Sequence, residues 1–270
     1  EDLHPYGSHK GRSIPIMIRE YHKQATRNFV ISSSGNAALA AIHTIIQHNK
    51  NKPDDLLTLH VFVGKKIAPT KLQALSEHAY YDPHIRIESV ERPKQAAFAL
   101  EKNNEATYLR QSTDDLALIG YAELANELNK IPNLSAIFIP TSSGTTAQSL
   151  AEAFATLEQK PQIHIVQTDA CHPIAEMFDT PKKIRDTSIA GAIVDNVAHR
   201  KDKVVAAIKK ASGSGWIVTD KEIQNAIVLT KQTTGINISP NSALSIAGLQ
   251  RARTKNQQWT GAVICLITGE

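Results

Sequence analysis

The sequence predicts an α/β protein of two doubly wound, mostly parallel sheet domains. Three observations carry that expectation. Short strand-like apolar runs alternate with stretches of helical periodicity along the chain, Pro, Ser, Gly and Asn mark the changes between them, and no short internal repeat offers a competing architecture. With 270 residues, 41% hydrophobic and 21% charged, the chain can bury one large core or two medium ones.

Taken in order, residues 1–3 read as the close of a strand, and a helical pattern begins at the turn around Lys10, with Ser8 placed to cap it. Residues 29–31, 57–63 and 84–90 read as strands, and 37–47, 69–79, 93–102 and 115–129 as helices, two of them opened by proline. Asn133 lies in a Pro/Asn turn that sets the expected boundary between a smaller N-terminal domain, 1–132, and a C-terminal domain, 133–270. Beyond it, strands are expected at 136–139, 163–167, 192–194, 216–218 and 262–267, with helices at 148–157, 201–211, 221–233 and 243–253. Such alternation implies right-handed crossovers, with ligands held beyond the carboxyl ends of the strands.

Composition excludes several classes. A net charge of +4 with acidic and basic residues interspersed gives no one-sided basic face, so no nucleic-acid partner is expected. No apolar run approaches the ~20 residues that span a bilayer, and no secretory signal opens the chain, so no membrane partner is expected. Cys171 and Cys265 are far apart and read as reduced thiols, which suits the cytoplasm. The 11 histidines show no H-x-x-H or H-E-x-x-H spacing, and no metal site is expected.

Three stretches carry chemistry. His4-Pro5-Tyr6-Gly7-Ser8-His9-Lys10-Gly11-Arg12 offers an amine at a shaped turn; an ordinary lysine, with a pKa of ~10.4, becomes a nucleophile only when burial or cationic neighbours lower it. Ser32-Ser33-Ser34-Gly35-Asn36 leaves a strand and enters a small-residue helix, so a ligand can approach its backbone closely while Asn36 donates and accepts. Pro140-Thr141-Ser142-Ser143-Gly144-Thr145-Thr146 makes the same transition, and amides at a helix start supplemented by hydroxyls form an anion site, for which phosphate is the natural guest.

Together these stretches resemble the fold-type II pyridoxal-phosphate enzymes, the tryptophan synthase β superfamily, whose lysine segment is usually written N-P-T-G-S-F-K-D-R. The chain keeps Pro5, Gly7, Ser8, Lys10 and Arg12, and departs at His4, Tyr6, His9 and Gly11. The resemblance implies pyridoxal 5'-phosphate as cofactor, seated in the cleft between the domains. Lys10 would carry the cofactor covalently and take the substrate's α-proton, and Asn36 would bond its phenolic oxygen. Ser33, Ser34 and Gly35 would hold the substrate carboxylate, and Ser142, Ser143, Gly144, Thr145 and Thr146 the cofactor phosphate. Members place a Ser or Thr opposite the pyridine nitrogen; Thr268 is the candidate here and Ser242 the second choice. Because members carry two or three glycines in the phosphate loop and this chain only Gly144, Ser142 or Ser143 is expected to take up a backbone conformation that suits glycine.

A small amino-acid substrate and a homodimer are further implications. So is a start upstream of Glu1, since some tens of residues precede the lysine in the family. The motifs most resemble threonine synthases and threonine dehydratases, which implies elimination or replacement on a small hydroxy or phospho-hydroxy amino acid in amino-acid biosynthesis, threonine synthase-like. Serine/threonine dehydratase and cysteine synthase-like chemistry are the alternatives. A phosphosugar-binding domain, or a pseudoenzyme that keeps the fold without the cofactor, would use the same loops. Cys171 beside His172 suggests a thiolate dyad, but adjacent residues point apart. Glu123 falls where members carry a Glu. A phosphorylated substrate needs a second cation, for which Lys65, Lys66, Arg110, Lys182, Lys183 and Arg185 are available.

Overall fold

Strand and helix alternate from end to end in the computed structural model, which describes residues 1, 3–80, 82–180 and 185–269. The elements fall into two compact units, Leu3–Gly120 and Tyr121–Glu270 with Glu1–Asp2. The first unit runs α1 (Lys10–Lys23), β1 (Asn28–Ser32), α2 (Asn36–Asn51), β2 (Thr58–Gly64), α3 (Pro69–His78), β3 (Ile85–Val90), α4 (Pro93–Lys102) and β4 (Thr107–Tyr108). The changeover falls inside α5 (Leu116–Leu128), before the turn at Asn133. The second unit continues with β5 (Leu134–Pro140), α6 (Thr145–Phe154), β6 (Gln162–Thr168), α7 (Lys201–Lys210), β7 (Gly215–Val218), α8 (Asp220–Thr234), α9 (Pro240–Thr254) and β8 (Ala262–Cys265).

Both sheets are parallel throughout, in the orders β3-β2-β1-β4 and β7-β6-β5-β8. Each strand feeds two cores by alternation, because successive side chains leave opposite faces. In the first sheet Phe29, Ile31, Leu59 and Val61 pack on Ile14 and Met17 of α1 and Ile42 and Ile45 of α2. Val30, Phe62 and Tyr108 face the other way, onto Ala97 of α4. In the second sheet Ile137, Ile139, Ile163 and Ile165 pack on Leu150 of α6 and Val204 of α7, while Phe138, Val166 and Trp216 meet Ile223 of α8 and Leu244 of α9. Each large side chain withdrawn from water contributes about 1.5–3 kcal/mol, and helices on both faces are why these strands read as apolar runs.

Strand order reverses beside β1 in one sheet and beside β5 in the other, since β4 and β8 return to their far sides. Ligand crevices of parallel sheets open at such switch points, beyond the carboxyl ends. The loop after β1 holds Ser33–Asn36, and the loop after β5 holds Thr141–Gly144. Topology therefore puts both candidate ligand loops where open parallel sheets bind ligands.

The expected strand at 192–194 does not form. Ile193 is buried in the core beneath α9, Val194 is 65% exposed, and the Val194 and Asp195 amides donate to the Ser142 hydroxyl instead of to a neighbouring strand. Leu3, expected at the close of a strand, is a turn residue exposed to solvent. Most histidines have local roles; His164, for example, stacks on Phe138 and accepts from the Ser214 amide and the Trp216 indole, and burial lowers it to about 4. Among the described residues no helix is long and apolar enough to cross a membrane.

Candidate active site

The Lys10 turn closes through the Gly7 amide, which donates to the His4 carbonyl at 2.7 Å with Gly7 at φ +70°. Helix α1 starts at Lys10, so His9 rather than Ser8 is the cap residue; the buried Ser8 hydroxyl still accepts from the Lys10 amide at 3.3 Å. A Cβ at Gly11 would stand 2.6 Å from the His4 ring and 2.6 Å from the Tyr6 Cβ, so the His4 ring and the course of the turn at Tyr6 leave no room for a side chain there. Tyr6 in turn reaches α2, its hydroxyl donating to Gln47 at 3.3 Å. Lys10 is half-buried, and desolvation lowers its amine to about 8. About a tenth of such an amine is uncharged at pH 7, against far less for an ordinary lysine, and carbonyl capture requires that form.

In the same unit, Asn36 is the first residue of α2. Its cap, Gly35, is extended at φ −140°, and the Gly35 amide donates to the Ser33 hydroxyl at 3.3 Å. No side-chain hydrogen bond caps this helix start among the described residues, and Ser33, Gly35 and Asn36 are half-buried while Ser34 is exposed. The loop thus stands at the carboxyl end of β1 with Asn36 opening the helix.

The second unit holds the loop after β5. Gly144 is the cap of α6, in the left-handed region at φ +87°, and a Cβ on it would come within 2.5 Å of Val204 Cγ2. Neither Ser142 nor Ser143 takes a positive φ, contrary to expectation; one glycine suffices because only one residue turns the chain into the helix. Ser142 is held from both sides, its hydroxyl accepting from the Val194 and Asp195 amides at 3.3 Å and its carbonyl from the Gln167 side chain at 3.3 Å. Gln167, fully buried, also accepts from the Ile174 and Ala175 amides at 2.9 and 2.8 Å. Ser143 and Thr145 share a hydroxyl–hydroxyl bond of 3.0 Å. Thr145 and Thr146 are buried, and among the described residues no side-chain hydrogen bond caps α6. A buried helix start without a side-chain cap, carrying the dipole's positive end and ringed by hydroxyls, fits a phosphate.

Beyond β8, Thr268 is 6% exposed. Ser239 and Ser242 at the start of α9 both donate to the Gly269 carbonyl at 2.9 Å, so the proton of the second-choice hydroxyl, Ser242, is already committed. Two other expectations resolve simply. Burial raises the Cys171 thiol, with the Asp195 charge adding to the effect, while His172 Nδ1 pairs with the Thr168 carbonyl at 3.0 Å; a thiolate dyad finds no support. Glu123 lies exposed on α5. Asp169, just past β6, has both carboxylate oxygens buried without a hydrogen bond among the described residues, and burial raises its carboxyl despite Arg185 at 3.4 Å. Of the candidate cations, Lys65 pairs with Glu91 at 3.1 Å, Arg110 lies over Phe98 at 4.9 Å, and Arg185 also reaches Asp220 at 3.7 Å. Lys182 and Lys183 lie outside the described residues.

Comparison with known proteins agrees with this chemistry. Residues 1–269 match the sequence model of the family described as pyridoxal-phosphate dependent enzyme. The chain is similar to threonine synthase of Methanocaldococcus jannaschii, 23% identical over 297 residues that cover 100% of this chain and 68% of that protein. It is similar to threonine synthase of Methanosarcina acetivorans at 23% identity over 291 residues, with the same coverage of 100% and 68%. In fold it is similar to processed threonine deaminase isoform 2 from Solanum lycopersicum, with a TM-score of 0.78, 15% identity, and coverage of 100% of this chain and 73% of that one. The chain belongs to the pyridoxal-phosphate dependent enzyme family, and its cofactor is pyridoxal phosphate.

Proposed function

We propose that the chain is a lyase or synthase of threonine synthase type, acting on a phosphorylated hydroxy amino acid. The observation that carries the reading is Lys10, an amine lowered to about 8 by burial at the start of a helix. When bound, pyridoxal phosphate supplies an electron sink for a carbanion at the amino acid's Cα. Lys10 Nζ holds the cofactor and then moves the Cα proton, a role for which a pKa near the working pH is the best match. Asn36 bonds the phenolic oxygen, and Ser33, Ser34 and Gly35 present amides and hydroxyls to the substrate carboxylate. The amides at the start of α6, with the hydroxyls of Ser143, Thr145 and Thr146, hold the cofactor phosphate. The backbone of Ser142 and Gly144 shapes that loop. Thr268 offers the pyridine nitrogen a neutral hydroxyl, which favours elimination and replacement.

The choice of a phosphorylated substrate is supported by the two threonine synthase relatives. The substrate of the reading is phosphohomoserine and the product threonine, made by a homodimer. The test is to offer the cofactor-loaded protein serine, threonine, O-acetylserine and phosphohomoserine separately, following keto acid, phosphate and new amino acid. Phosphate and threonine from phosphohomoserine are expected, and Lys10→Ala should abolish both. Keto acid from threonine without phosphate release would make the protein a dehydratase. Silence with all four would leave a protein that keeps the cofactor without this chemistry.

A further inference from the structure

We propose that His22, His48 and Asp55 form a binding site for a divalent first-row transition ion of the zinc class. One donor atom from each lies within 4.8 Å of the others. His22 sits in the last turn of α1, His48 in the last turn of α2, and Asp55 in the connection from α2 to β2. Side chains from three segments thus converge, a pattern that no local sequence spacing announces.

The ligand set selects the ion. Two imidazoles and a carboxylate suit zinc and its neighbours; calcium and magnesium favour all-oxygen sites, and soft ions need thiolates, which are absent from this group. The donors are already organised. His22 Nε2 stands 2.8 Å from Asp55 Oδ2, and the His22 and His48 rings meet edge to face at 4.8 Å between centroids. His48 Nε2 donates to the Asp55 carbonyl at 2.8 Å, which fixes the ring against the connection that bears Asp55. The connection bearing Asp55 is clamped by Asn49, whose side chain donates to the Leu57 carbonyl at 3.0 Å and accepts from the Leu57 amide at 2.8 Å. Arg27 holds the other carboxylate oxygen at 2.7 Å. That fixes the carboxylate but draws on its charge, so affinity is expected below that of a closed site of four protein ligands.

Access is present as well. His22 and His48 line a cavity of about 350 Å³ with Thr44, Gln47 and Ile18, so an ion can enter and keep a water or small anion as its remaining ligand. Each imidazole stands 12 residues along its helix from Lys10 or Asn36, a rise of about 18 Å. The ion therefore staples the far ends of the two helices whose starts carry the candidate cofactor residues, without taking part in the chemistry there.

The test uses zinc chloride and the cofactor-loaded protein. Calorimetric titration should show one saturable equivalent per chain, with affinity at least about tenfold weaker in His22→Gln and in His48→Gln. A measurement on the unsubstituted chain guards against misfolded variants: zinc should protect His22 and His48, but not His172 of the second unit, from carbethoxylation read by peptide mass mapping. Absence of saturable uptake, uptake undiminished in both variants, or equal modification of His22 and His48 with and without zinc would each overturn the site.

Discussion

Free lysine is almost wholly protonated at neutral pH, whereas burial lowers the Lys10 amine to about 8. Cofactor capture needs the uncharged form, so its rate should climb with pH to about 8 and then level. Stopped-flow absorbance on mixing stripped protein with pyridoxal phosphate reads this directly; a rate still rising at pH 10 would mean that another lysine, or an ordinary one, is responsible. Linkage has a definite sign here: the unfolded chain, with a lysine pKa of ~10.4, binds the extra proton between the two values, so stability rises with pH across that window. At Gly144, φ +87° and the approach to Val204 make Gly144→Ala costly, by about 1–3 kcal/mol of strain, with weaker cofactor affinity following from the displaced loop. Urea midpoints and cofactor titration measure the two effects separately. Both residues were legible because their chemistry demands a residue type at a helix start. The restraint on Ser142 was not, since its partners Val194 and Asp195 lie about 50 residues away and only folding brings them together.

Elements show the same division. Helices 69–79 and 93–102 were readable from periodicity and from Pro at the first position, and 201–211 from periodicity; Thr219 and Glu222 form a reciprocal capping box at the start of α8. Residues 192–194 misled because three apolar residues in a row also suit a loop that buries one of them, Ile193, and leaves its neighbours in solvent. What ties that half of the sheet together is Asp179, beyond the 3-10 turn Ala175–Met177 and 1% exposed. Burial alone would raise its carboxyl, but Arg251 at 2.8 Å, Lys255 at 2.6 Å and the Ile217 amide at 3.1 Å outweigh burial and hold it below the usual range. Asp179→Asn leaves two cations facing a neutral amide and should destabilise by about 3–5 kcal/mol in urea unfolding at pH 7. With the folded pKa depressed, the stabilisation is present above the unfolded value of ~3.9 and lost as pH falls through the folded one. The gap between wild type and variant should therefore narrow at pH 3; an unchanged gap would assign the effect to packing alone.

For the whole molecule, the class was readable because both sheets are buried on both faces, but strand order was not. Nothing in residues 262–265 says that β8 returns beside β5, and β4, with two residues, is too short to register. Each unit has cores of its own, so unfolding of the stripped protein should depart from a single cooperative transition. Scanning calorimetry is expected to give a calorimetric enthalpy above the van't Hoff value, and equality of the two would show that the units melt as one.

Gly11 carries a last consequence, one of substitution. The Tyr6 Cβ that crowds position 11 belongs to every residue but glycine, so shrinking Tyr6 opens no room there, whereas the His4 ring can be removed. Gly11→Ala should therefore be disruptive by itself and only partly relieved beside His4→Ala, a coupling that a mutant cycle on stability reads. The course of the turn ahead of Lys10 thus sets the residue at 11 from two sides, and only one of them can be relaxed by substitution.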